Sequence, residues 1–115
     1  MAEMSPAIMS SDLLRGNTDT IVLNILADGD AYGFEIYNRI LEKTDGQYEP
    51  KETTLYSSYK RLEADGDIDS YWGDETQGAR RKYYRITAKG RKVLAQGLRD
   101  WKFTQKIIND LLEEK

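Results

Sequence analysis

Apolar residues recur with a helical period through the first half of the chain and then switch to strict alternation. Leu14, Ile21, Val22, Ile25 and Leu26, with Thr18 on the same face, predict a first helix from about Asp12 to Ala27, stopped by Asp28-Gly29-Asp30. Ile36, Tyr37, Ile40 and Leu41 predict a second, from about Tyr32 to Lys43, closed by the turn residues Thr44-Asp45-Gly46. Leu55, Tyr59 and Leu62 form the inner face of a third, from about Glu52 to Asp65, with Gly66 as its C-terminal stop. Lys51 and Glu52 are poor N-caps for that helix.

The period then becomes two. Ile68, Ser70 and Trp72 alternate with Asp69, Tyr71 and Gly73, and Arg80 to Thr87 alternates around Tyr84 and Ile86. The polar, Gly-bounded stretch from Gly73 to Ala79 lies between them, which predicts a β-hairpin with a long tip. Trp72, beside Ile68, reads as core or hairpin packing, and of Tyr83 and Tyr84 at most one can face the core. Thr87 can cap a last helix running from Ala88 towards Glu114. Leu94, Leu98, Trp101, Gln105, Ile108 and Leu112 are spaced 4, 3, 4, 3 and 4 on it, a heptad seam broadened by Val93, Ile107 and Leu111. A helix of roughly 25 residues spans about 37 Å, longer than the small core it leaves. Its far half needs a partner, and a second copy of the chain is the economical one. The dimer interface is therefore expected at Leu94, Leu98, Trp101, Ile108, Leu111 and Leu112.

Together these elements predict a mainly α chain with a β-hairpin: a winged helix-turn-helix over 12–87, a dimerisation helix over 88–115, and a flexible leader over 1–11. Composition narrows the chemistry. The 115 residues include no Cys and no His, which excludes disulfides, Cys-type zinc sites and imidazole catalysis. No phosphate-cradling Gly motif is present, so no catalytic, metal or cofactor site is expected. No apolar run approaches the ~18 residues of a membrane span and no signal peptide opens the chain, so a cytoplasmic protein is expected.

The net charge of −3 conceals an asymmetry. Residues 1–50 carry nine acids against three bases, whereas residues 76–99 carry eight bases and no acid. A basic segment of this kind is either a solvated face or a site for a polyanion such as a phosphate backbone. The third helix decides between them. Opposite its apolar face it presents Thr53, Thr54, Tyr56, Ser57, Lys60 and Arg61, residue types that bond phosphate or base edges.

Thr54-Leu55-Tyr56, then Lys60-Arg61-Leu62-Glu63 and Gly66, resemble the signature of the PadR family of transcriptional regulators. So do Tyr32-Gly33, Gly78-Ala79-Arg80-Arg81-Lys82-Tyr83-Tyr84 and Thr87-Ala88-Lys89-Gly90. The short C-terminal helix, Ser70 to Glu75 and Trp101 make the chain look most like the smaller, multidrug-binding repressors of that family. The resemblance implies a homodimer on palindromic operator DNA. Thr54, Tyr56, Ser57, Lys60 and Arg61 would face the operator, and Gly78, Arg80, Arg81 and Lys82 would supply the wing. It also implies a planar aromatic effector stacked on Trp101 at the dimer interface, in a pore walled by Leu13, Thr18, Thr20, Gly97, Leu98 and Gln105, with Gly97 leaving space beside the Trp. Two other functions stay open at this point: a protein-binding winged helix, and a small-molecule-binding dimer that does not bind DNA.

Overall fold

The computed structural model of the chain describes residues 14–74 and 80–113. The predicted first helix is not continuous. A 3-10 turn over Arg15–Asn17 precedes α1 (Thr18–Ala27), and Asn17, at φ −114° and ψ 1°, leaves the helical region. Gly16 and Asn17 are weak helix formers, and no side chain caps either start. The leader over 1–11, Leu13 and Gly78 lie outside the described residues.

A two-residue strand, β1 (Ala31–Tyr32), comes next. Two residues are too few to show a period, and the sequence reading missed it. Tyr32 is accordingly extended and caps α2 (Gly33–Lys43), its backbone N–H donating to the Glu35 carboxylate at 3.4 Å. Asp45, in the left-handed region at φ 51°, closes α2, with the Gly46 N–H donating to the Leu41 carbonyl at 2.8 Å. Then α3 (Glu52–Ala64) follows, and Lys51 provides no side-chain cap. It ends in a Schellman motif: Gly66, at φ 79°, lets the Asp67 N–H reach the Leu62 carbonyl at 2.9 Å.

The hairpin is β2 (Ile68–Trp72) with β3 (Lys82–Ile86), Tyr71 standing opposite Tyr83. β1 adds to the other edge of β3, giving a three-stranded antiparallel sheet in the order β1-β3-β2. Its inner face joins α1, α2 and α3 in one core. Val22, Leu23, Ile36, Leu55, Tyr59, Leu62 and Ile68 are all fully buried there, with Tyr84 and Ile86 from β3. Tyr83 takes the opposite face, as alternation requires. Two expected core residues of α2 lie at the margin of the core, Tyr37 packing against it from outside. Tyr37 and Leu41 are only half-buried, and Tyr37 stacks on exposed Phe34 at 5.6 Å while donating to Glu49 at 2.6 Å.

The last helix, α4 (Ala88–Leu111), is capped by Thr87, whose hydroxyl accepts from the Gly90 N–H at 3.0 Å. The same hydroxyl lies 2.7 Å from the Gly66 carbonyl and 3.0 Å from that of Asp67, tying the end of α3 to the start of α4. A Cβ on Gly90 would stand 2.0 Å from the Asp67 carbonyl oxygen. That contact is backbone against backbone, so no rotamer change relieves it. Gly90→Ala is expected to destabilise the fold by about 3 kcal/mol, the upper range for overpacking. Gly16→Ala, where nothing lies within 4 Å, should stay within about 0.5 kcal/mol of the parent. Urea unfolding at one fixed chain concentration checks both; equal effects would contradict the close packing at Gly90.

Candidate functional site

The side chains that α3 leaves outside the core form a stripe. Tyr56, Ser57, Lys60 and Arg61 are exposed and Thr54 is half-buried. Beneath it, Tyr59 is completely buried, and its hydroxyl donates to the Gly33 carbonyl at 3.0 Å. Burial pushes that phenol far above its ordinary range, so it remains a neutral donor. Tyr56 lies edge-on to Tyr59 at 5.0 Å, and a Cβ at Gly33 would meet the Tyr56 hydroxyl at 2.6 Å. The N-terminus of α2, Tyr56 and the wing strand thereby enclose a cleft of ≈ 520 Å³. Its walls are Tyr32, Gly33, Phe34, Tyr56, Arg81, Lys82 and Tyr84. Hydroxyl, ammonium and guanidinium groups at one rim suit an anion.

Strand alternation divides the wing cations. Lys82 turns towards α3: its ammonium is 3.5 Å from Glu63 and 5.6 Å from the Tyr84 ring centroid. Glu63 also accepts from Ser70 at 2.6 Å, so this acid of α3 faces the sheet. Arg80 lies over the Trp72 ring at 5.9 Å and reaches the Gly73 carbonyl at 3.4 Å. Of the two roles expected for Trp72, core or hairpin packing, it takes the second: it is 57% exposed and packs against Arg80 of the opposite arm of the hairpin.

Arg81 takes the other face, 4.7 Å over Tyr32. That outer face holds an aromatic row across all three strands. Tyr32 meets Tyr83 at 5.5 Å, Tyr83 stacks on Tyr71 at 5.7 Å, and Arg85 covers Tyr71 at 5.1 Å. Arg85 also pairs with Asp69 at 3.0 Å, and Tyr71 donates to Asp30 at 2.6 Å. The row needs β1, so the hairpin pattern alone did not reveal it.

Arg61 does not stand free on its helix. Its guanidinium grips Asp19 of α1 through two nitrogens, at 2.6 and 3.0 Å, and Ser58 donates to the same carboxylate at 2.6 Å. Partial burial of Asp19 works against its charge, but the bonds from Arg61 and Ser58 outweigh burial and hold its carboxyl below the usual range. The sequence signal for this pair was faint: an acid on one amphipathic helix and a base on another, 42 positions apart.

The heptad seam of α4 is split. Leu94 is buried in the core of its own chain, whereas Leu98, Trp101, Ile108, Leu111 and Leu112 are exposed, the last two at 73%. Gln105 is also exposed. The space beside Gly97 is taken: a Cβ there would lie 2.5 Å from the Thr20 hydroxyl, so α1 and α4 cross at this point. Thr18 is buried and directed at the Leu14 carbonyl, 3.5 Å away. Of the expected pore wall, Thr20, Leu98 and Trp101 line a mostly apolar cavity of ≈ 300 Å³. Its other walls are Leu14, Asn17, Ile21, Asn24, Ile25, Ile40, Lys43, Thr44 and Tyr48. The α2 side of this cavity was not foreseen, because α2 meets α4 only in three dimensions. Among the described residues no group of acids could hold a metal ion, and no helix is long and apolar enough to cross a membrane.

The pattern of the Transcriptional regulator PadR-like family matches residues 22–96. A Lysinibacillus sphaericus protein described as uncharacterized protein X is 38% identical over 106 residues, covering 92% of this chain and 97% of that one. Among solved structures, a transcriptional regulator from Clostridium thermocellum is 50% identical with a TM-score of 0.84, over 92% of this chain and all of its own. A PadR family transcription regulator from hypervirulent Clostridium difficile R20291 is 36% identical with a TM-score of 0.74, over 84% of this chain and 99% of its own.

The Asp19 cluster makes stability sensitive to acid. A carboxyl whose pKa falls on folding stabilises the chain above its unfolded value of about 3.9 and loses that contribution as pH drops through the folded value. Asp19→Asn should therefore be less stable than the parent at pH 7, and the gap should close as pH falls below about 4. Urea midpoints against pH measure the gap; one that stays constant would rule out the bonded carboxylate as its source.

Proposed function

The chain belongs to the PadR-like family of transcriptional regulators, and on that premise we propose that it is a homodimeric repressor of palindromic operator DNA. The observation that carries this reading is the cleft between α3 and the wing, whose walls include Tyr56 of α3 and the wing cations Arg81 and Lys82, with Ser57 and Lys60 exposed on the same helix. Helix α3 enters the major groove, where hydroxyls and Lys60 meet base edges and phosphate. The wing cations sit on the flanking backbone, joined by Arg81, and Gly78, outside the described residues, belongs to the same proposed contact. Net acidity is no obstacle, since the bases of residues 76–99 form a local field of their own.

The partner that covers Leu98, Trp101, Ile108, Leu111 and Leu112 is a second copy, which sets two α3 helices at a fixed spacing. The cavity at Trp101 takes a planar aromatic effector. Its volume of ≈ 300 Å³ sits at the lower end for small-molecule sites, and its wall includes Asn17, Asn24, Lys43 and Thr44 to orient a polar edge. Because α4 lines that cavity and carries the dimer face, occupancy acts on the helix that carries the dimer, and coupling to DNA is reciprocal.

Footprinting on the chain's own upstream DNA should show a protected palindrome, with affinity falling steeply with salt. Lys60→Ala and Arg80→Ala should each flatten the slope of log affinity against log salt by about 0.9 per protomer. No preference over random duplex would reject the repressor, and a dimer without DNA binding would favour a small-molecule or protein-binding module. Ile108→Glu with Leu111→Glu should sediment as a monomer and lose operator affinity; a parent that already sediments as a monomer would reject the dimer. Planar aromatic dyes should quench Trp fluorescence in the parent and in Trp72→Phe but not in Trp101→Phe. Unchanged quenching in Trp101→Phe would reject the effector site.

A further inference from the structure

Helix α3 carries two cations, Lys60 and Arg61, adjacent in sequence and both exposed. Their surroundings differ. Lys60 makes no ion pair among the described residues, whereas Arg61 is held by Asp19 through Nε at 3.0 Å and a terminal nitrogen at 2.6 Å. We infer that Asp19 is a positioning residue that withdraws Arg61 from the charge offered to nucleic acid, leaving Lys60 as the phosphate-neutralising cation of α3. This rests on the DNA-binding reading given above.

Three features support the assignment. The pair is bidentate, so both donors on one edge of the guanidinium are occupied in fixed geometry. Ser58, itself fully buried, donates to Asp19 at 2.6 Å, so the carboxylate is anchored independently of Arg61. The pair is also half-exposed, with side-chain accessibilities of 52% and 36%, and exposed pairs contribute little to stability. Its larger consequence is therefore for charge at the DNA-facing surface. A phosphate reaching Arg61 must displace an intramolecular carboxylate that is already in place, and it meets that negative charge if it does not. Arg61 is left to orient α3 on α1, with its outer edge free to donate a hydrogen bond that releases no counterion.

Salt dependence separates this from an Arg that binds phosphate directly, since each neutralised phosphate adds about 0.9 to the slope. The probe is a mixed-sequence 40-base-pair duplex, and binding is followed by fluorescence anisotropy from 50 to 300 mM salt. Thermal melts of every variant confirm that it is folded. Lys60→Gln should lower the slope by about 0.9 per protomer. Asp19→Asn should raise it by a similar amount, because Arg61 is released. The double variant Asp19→Asn with Arg61→Gln exchanges one neutral pair for another and should match the parent slope. A double variant that loses as much slope as Lys60→Gln, or an Asp19→Asn slope equal to the parent's, would overturn the inference while leaving DNA binding intact. Failure of the folded parent to bind the duplex at any salt would overturn the DNA reading and this inference with it.

Discussion

The Tyr59 hydroxyl lies where α2, α3 and the sheet meet, with no access to water, and it donates to the Gly33 carbonyl at 3.0 Å. A buried phenol without a partner costs about 1–3 kcal/mol, so this bond restricts how α3 sits on the start of α2. The ring adds two further constraints, meeting Tyr84 of β3 and Tyr56 of its own helix, each at 5.0 Å. One residue therefore ties α3 to the start of α2 and to β3. Tyr56 follows, because its hydroxyl occupies the space that Gly33 leaves vacant.

Charge is arranged with the same economy of position. Glu63 faces β2 and β3 and holds Ser70 and Lys82, so the acid of α3 nearest the wing is turned from the outer stripe. Asp19 meets Arg61 from α1, and Asp69 meets Arg85 on the outer sheet face. Counting bases along residues 76–99 therefore overstates the positive charge the surface presents. Lys82 is the wing cation turned towards α3, where it meets Glu63.

Helix α4 combines two environments. Its first turns are locked to the domain by Thr87, by the close approach at Gly90 and by buried Leu94. From Leu98 onward its apolar side chains face outward, and it touches its own domain beside the cavity, where Gly97 lets Thr20 approach and Trp101 forms part of the wall.

The helices, the hairpin and the split between Tyr83 and Tyr84 were legible in the sequence, because period and turn chemistry act over a few residues. So were the Thr87 cap and the Gly66 stop, whose partners lie close along the chain or in its backbone. What escaped depends on contacts between segments far apart. β1 exists because β3 offers it an edge, and Gly97 is filled because α1 crosses there. Arg61 shows the difference most clearly. Its helical position put it on the outer stripe, but only the packing of α1 against α3 brought a carboxylate to it, since Coulomb attraction depends on distance in space and not on separation along the chain.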